Sequence, residues 1–310
     1  MIISTGMRTD IPAFYSEWLI NRINAGLVCV RNPYNEHQIT KYELNPNVVD
    51  CICFCTKNPI PLLDHIDKEL KPFRQFWFVT ITPYGKDIEP NVIDKPKVIK
   101  AFRLLSNKIG KNAIGWRYDP IFYGQGWTKE KHIQEFTKIA TALKGYTNFC
   151  VISILDLYEK VKRNAPGIYP PDKDEQLELL KELVKIAKEN GMAIKGCYEG
   201  EFLSAVGVDC TGCQTKKTIE NAIGQKLEVP SKKNARGACN CLLGQDIGAY
   251  NTCLHLCKYC YANADKDVVL ANAKKHNPDS PLLIGNIEKQ DKITNATQKS
   301  YINKQLSLFY

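Results

Sequence analysis

The sequence predicts an α/β fold: a TIM-type (β/α) barrel, complete or partly open, with a cysteine-rich metal-binding extension at its C-terminal end. Three observations predict it. Short β-rich apolar runs alternate with helically spaced stretches, as parallel βα units require. Polar residues collect just past those runs, where a barrel enzyme keeps its site. Seven of the thirteen cysteines fall between Cys210 and Cys260.

Eight runs qualify as strands: residues 2–5, 27–31, 49–55, 75–82, 113–118, 149–155, 193–197 and 205–208. Helical spacing covers residues 12–23, 61–70, 96–109, 129–143, 173–189 and 215–223. The first three helices open on proline, which the first turn tolerates because its N–H would have no intrahelical partner. Asn190-Gly191 closes the longest, and residues 38–44 read as a small hairpin. The barrel is expected over residues 1–225, the extension over 226–265 across the barrel mouth, and a polar tail over 266–310. The extension is too poor in apolar residues for a core of its own, so metal is expected to hold it together.

With 310 residues and 44% hydrophobic content the chain can bury a large core. The start MIISTGMRTD has neither a basic leader with an apolar run nor a cleavage site, and no stretch approaches a membrane span. A cytoplasmic protein without a membrane partner is expected. In that reducing compartment thirteen cysteines argue for metal or catalytic use over disulfides. Cys51, Cys53 and Cys55 alternate along a strand and read as small hydrophobes on one face. The net charge of +9 suits a polyanion such as DNA, though the basic residues are spread along the chain.

Past the strand runs lie Arg8 and Asp10, Arg31 and Asn32, Lys57 and Asn58, Thr82 and Tyr84, Arg117 and Asp119, Ser153 and Asp156, and Glu199. Helix caps and ion pairs use the same residue types. As a site, they supply Arg117, Asp119 and Glu199 as candidate catalytic groups and Lys57 and Asn58 as candidate cofactor contacts, with Tyr259 of the later cysteine segment as a third such contact.

The segment NTCLHLCKYCYAN spaces Cys253, Cys257 and Cys260 by three and then two residues, with Tyr259 before the last thiol. Thiolates ligate zinc and iron–sulfur clusters alike. Three thiolates leave one iron of a [4Fe–4S] cubane open, whereas a closed zinc site wants a fourth ligand nearby. His255 inside this motif reads as a spacer. Cys210-x-x-Cys213 and Cys239-x-Cys241 offer four more thiolates for a second iron–sulfur cluster or zinc, and Cys197 can replace one of them.

At these residues the chain resembles the radical S-adenosylmethionine (SAM) enzymes, whose signature is C-x-x-x-C-x-x-C with an aromatic before the third cysteine. The resemblance implies that the open iron chelates SAM, that an electron from a donor such as ferredoxin or flavodoxin cleaves it, and that the 5′-deoxyadenosyl radical attacks substrate. The motif departs from that superfamily in lying past residue 250 instead of after the first strand. Over most of its length the chain looks like an uncharacterised bacterial family with a radical-SAM-like cysteine cluster at its C-terminal end. RTDIPAFYSEW, VRNP, TKNP, TPYGKDIEP, WRYDPI and DIGAYNTC carry that likeness. A zinc-stabilised nucleic-acid-binding module, or a hydrolase binding metals through Asp10, Asp119, Asp156 and Glu199, are the alternatives.

The terminal KQLSLFY resembles the peptide by which bacterial repair and replication proteins dock on the DNA sliding clamp. Gln305, Leu306, Leu308 and Phe309 match its anchors, with Ser307 between. The competing reading is an apolar terminus packed back on the fold. Clamp docking would point, with the charge, to repair or modification of DNA or nucleotides.

Overall fold

The computed structural model describes residues 1–229 and 241–303. In chain order it forms β1 (Ile2–Ser4), α1 (Ile11–Phe14), α2 (Ser16–Ala25), β2 (Leu27–Asn32), β3 (Asn35–Glu43), β4 (Cys51–Thr56) and β5 (Gln75–Thr80). There follow α3 (Lys95–Ile109), β6 (Ile114–Ile121), α4 (Lys129–Leu143), β7 (Phe149–Ile154), α5 (Glu159–Asn164), α6 (Lys173–Glu189) and β8 (Ala193–Gly196). The chain continues through α7 (Lys216–Ile223), β9 (Gln245–Asp246), α8 (Lys266–Ala273) and β10 (Lys292–Asn295).

The main sheet has seven strands in the order β8-β7-β6-β5-β4-β1-β9, and every neighbouring pair is parallel. From β4 to β8 each strand lies beside its predecessor, the order of a sheet wound in one direction. Period-two alternation divides the side chains between two faces. Ile3, Ile52, Phe54, Trp77, Val79, Ile114, Trp116 and Ile152 form one face with the buried stripes of α2, α3, α4 and α6. Ile2, Cys51, Cys53, Phe76, Phe78, Phe149 and Val151 form the other, against Ile219 of α7 and Leu227. Gly115 is a packing requirement on this second face. A Cβ there would come within 2.5 Å of the Phe149 ring.

The α/β class and parallel sheet agree with the sequence, and two strand assignments are corrected. Residues 27–31 do not join the parallel sheet; β2 pairs antiparallel with β3, and β10 pairs parallel with β3 on its other side. The short turn between β2 and β3 forces this, because parallel strands need a long crossover. Residues 205–208 form no strand. A 3₁₀ turn over Glu201–Val206 ends at Gly207, whose φ of 92° is left-handed, and beyond it only Asp209 bridges to Lys195.

The helix expected over residues 12–23 breaks at Tyr15, whose hydroxyl donates to the Thr252 carbonyl at 2.6 Å. That expected over 61–70 is a 3₁₀ turn at Ile60–His65. Among the others, α6 starts on a capping box in which Asp172 and Glu175 satisfy each other's backbone N–H.

The stretch read as a polar tail packs on the fold as far as it is described. Trp18 Nε1 donates to the Ser280 carbonyl at 2.9 Å, Arg22 donates to that of Asp279 at 2.9 Å, and Leu282 and Leu283 are buried. Among the described residues no helix is long and apolar enough to cross a membrane.

Candidate functional site

The second face of the sheet changes character along its strands. Phe76 and Phe149 lie toward the amino ends, whereas Ser4, Cys55, Thr80, Arg117, Asp119 and Ser153 lie toward the carboxyl ends and open into a cavity of about 630 Å³. Gly6 continues this rim after β1. Its missing side chain is a steric necessity, since a Cβ there would lie 2.2 Å from the Cys55 carbonyl oxygen.

Cys253, Cys257 and Cys260 line the same cavity, in one loop. That loop is bound to the segment after β5: Lys258 N–H donates to the Ile88 carbonyl at 3.0 Å, and the Asn91 side chain to that of Leu254 at 2.7 Å. From within, Cys260 N–H donates to the Cys257 carbonyl at 3.1 Å and Asn263 to that of Cys253 at 2.7 Å. His255 is buried, not a solvated spacer, and its Nε2 meets Asp10 Oδ2 at 2.8 Å. With Nε2 as donor to the carboxylate, Nδ1 is left a buried acceptor without a hydrogen-bond partner. Asp10 also caps α1 through Ala13 N–H and accepts from Lys57 N–H at 2.7 Å, so one carboxylate joins β1, β4 and the cysteine loop.

Lys57 and Tyr259 meet at Glu89, a residue the sequence reading left out. Glu89 is buried and accepts from Lys57 Nζ at 2.8 Å, from Thr82 Oγ1 at 2.6 Å, and from Lys95 and Tyr259. Burial alone would raise its pKa, but the two lysines hold it down at about 2. Two ammonium groups against one carboxylate leave net positive charge near Cys257. Burial pushes the Cys257 thiol up to about 12, with Lys57 pulling the other way, and burial raises Cys253 as well. Asn58 does not share this setting. Its side-chain oxygen accepts from Ile60 N–H at 3.2 Å and starts the turn there.

Across the cavity Arg117 pairs with Asp119, which also accepts from Ser153 Oγ. Burial opposes ionisation of Asp119, but Arg117 lowers its pKa. Glu199 accepts from Ile154 N–H at 2.8 Å and burial raises its pKa to about 7. Asp156 and Glu199 both line the cavity.

The second cysteine group divides. Cys197, Cys213 and Cys241 lie together, with Sγ–Sγ distances of 3.5 Å from Cys213 to each of the others. Cys210 points elsewhere, its Sγ 3.6 Å from the carbonyls of Gly200 and Val208. Cys239 and the peptide Gln305, Leu306, Leu308 and Phe309 lie outside the described residues. Among the described residues no group of three or more His, Cys, Asp or Glu is placed so that it could hold a metal ion as it stands.

Residues 2–262 match the domain of unknown function DUF1848, from β1 to just past the third cysteine of the loop. The chain belongs to the DUF1848 family. No curated protein matches it. Among solved structures, this DUF1848 chain is matched by the EAL domain of Xanthomonas citri FimX in complex with c-diGMP. The two are 10% identical, with 64% of this chain and 90% of that one covered and a TM-score of 0.21.

Proposed function

We propose that this DUF1848 protein is a radical SAM-type enzyme on a partly open (β/α) barrel, with Cys253, Cys257 and Cys260 holding a [4Fe–4S] cluster at its mouth. The observation that carries the reading is the position of the triad. Three cysteines with the spacing of that superfamily border a cavity large enough for a cofactor and a substrate, at the carboxyl ends of parallel strands.

The residues around the triad fit such a group. Lysine charge at Cys257, and Lys160, whose Nζ donates to the Asn263 carbonyl beside Cys260, would offset thiolate charge in a buried loop. The orphaned His255 Nδ1 is an acceptor beside the same cysteines. Bound there, the cluster would supply the electron that cleaves SAM to a 5′-deoxyadenosyl radical.

The chain's own groups would do the rest. Lys57, held by Glu89, would take an anionic group of the cofactor. Arg117, fixed by Asp119 and Ser153, would orient substrate from the opposite wall. Glu199, titrating near 7, would accept or release a proton there. The net charge and the terminal peptide extend the proposal to a DNA or nucleotide substrate, docking on the sliding clamp and a cytoplasmic setting. A ferredoxin or flavodoxin would supply the electron.

Anaerobic reconstitution is expected to give about four irons at the triad and reductive cleavage of SAM to 5′-deoxyadenosine. Cys257→Ala is expected to abolish both. A protein that binds zinc alone and leaves SAM intact would refute the proposal.

A further inference from the structure

A second, separate feature lies on the far wall of the cavity. Three loops converge there: Cys197 follows β8, Cys213 precedes α7 and Cys241 precedes β9. Two of those loops are joined by a reciprocal pair of hydrogen bonds, Leu242 N–H to the Gln214 carbonyl at 2.7 Å and Gln214 Nε2 to the Leu242 carbonyl at 3.0 Å. That clamp fixes Cys213 against Cys241, with Cys197 on its other side at the same 3.5 Å.

Several of the groups around the sulfurs are donors. Gln214 N–H points at Cys241 Sγ from 3.4 Å, and the Arg117 guanidinium lies 3.4 Å from Cys197 Sγ and 4.0 Å from Cys213 Sγ. A neutral thiol is a weak acceptor and gains little from such neighbours, whereas a metal-bound thiolate is stabilised by N–H donors of this kind. Packing of inert cysteines would need no guanidinium among them. The two sulfur spacings to Cys213 are close to those of a shared ion, since thiolates at about 2.3 Å from a tetrahedral metal stand about 3.8 Å apart.

We infer that Cys197, Cys213 and Cys241 form a second metal centre, a thiolate site for a soft metal, distinct from the Cys253, Cys257 and Cys260 loop. The two sulfur contacts both run through Cys213, and among the described residues no metal-holding group is formed as the side chains stand, so loading requires Cys197 and Cys241 to turn toward a shared ion and releases the thiol protons. Compared with Cys210, Cys213, Cys239 and Cys241, the set the spacing suggests, Cys197 stands in place of Cys210, and Cys239, outside the described residues, is not part of the inference. Zinc, which would take a fourth ligand beside the three thiolates, and an auxiliary iron–sulfur cluster share this thiolate chemistry.

The test uses the full chain with Cys253, Cys257 and Cys260 all changed to Ala, so that failure of the proposed radical chemistry leaves it untouched. Cobalt(II) is titrated anaerobically into this reduced protein and followed by thiolate-to-cobalt charge-transfer absorption. The expected result is saturation at about one cobalt per chain, with binding weakened about tenfold or more by Cys197→Ser or Cys213→Ser and unchanged by Cys210→Ser. Circular dichroism of each variant checks that it is folded. If both ligand variants unfold, Cys241→Ser and protection of the thiols from alkylation by cobalt in the parent chain give the same reading. Metal content as purified separates zinc from iron with sulfide, either of which supports the centre. Absence of thiolate-bound cobalt in the parent chain, or loss of it on Cys210→Ser but not on Cys197→Ser, overturns it.

Discussion

Lys57 Nζ lies 2.8 Å from Glu89 Oε1, with the carboxylate wholly shielded from solvent and the lysine nearly so. This pair links the end of β4 to the segment on which the cysteine loop rests. Because Glu89 also takes Thr82, Lys95 and Tyr259, it holds more of the site together than any residue on the triad's side of the cavity.

Glu89→Gln is therefore expected to lower the unfolding free energy by about 3–5 kcal/mol near neutral pH, since it leaves two lysines beside a neutral amide. Urea unfolding measures this. The sign with pH follows from a folded pKa of about 2 against an ordinary 4.5. The stabilisation is complete above about 4.5 and is lost as pH falls toward 2, so the acid limb of the wild-type stability curve flattens in the variant.

Glu199 behaves in the opposite sense. Its pKa near 7 against an ordinary 4.5 means that the fold favours the protonated acid. Its contribution is full below 4.5 and falls as pH rises through 7. Glu199→Gln is expected to remove that decline, seen as a smaller difference between urea midpoints at pH 5 and pH 8. A carboxyl resonance titrating near 7 and absent from the variant gives the direct check.

Lys57→Met removes the cation that draws the Cys257 thiol down and lets burial raise that thiol further. Iron incorporation during reconstitution is expected to need a higher pH than in the wild type. Equal iron uptake at every pH would show that Lys57 has no part in loading.

Gly6→Ala is expected to destabilise the protein by about 1–3 kcal/mol or more, because the added Cβ meets the backbone of Cys55. The same strain falls on the cavity rim. Thermal unfolding gives the first effect, and reduced cobalt or iron binding the second.

Much of this was legible in the sequence, and the reasons are local. The runs at 49–55, 75–82 and 149–155 are short, apolar and rich in β-branched or aromatic residues, and they overlap the parallel strands β4, β5 and β7. The run at 27–31 has the same composition, but its pairing depends on the turn that follows it, which composition does not encode. Arg117 and Asp119 reach the cavity because alternate residues of one strand share a face. Asn58 fails the same reasoning because its side chain starts a turn instead. Glu89 falls within TPYGKDIEP, but nothing in that stretch shows that two of its partners, Lys57 and Tyr259, come from distant segments. Cys197 was visible only as an afterthought, since nothing in a linear spacing shows which loop will lie against Cys213.

The Asp10 and His255 contact joins residues 245 positions apart, and β9 beside β1 closes a comparable span. At ribosomal speeds of about 5–20 residues per second, Lys57 and Glu89 leave the ribosome roughly eight to forty seconds before the cysteine loop does. The thiols therefore arrive last, at a receptor whose acids and lysines are already made. A chain that stalls before residue 253 carries the acids and lysines of this wall without the cysteine loop that rests on them.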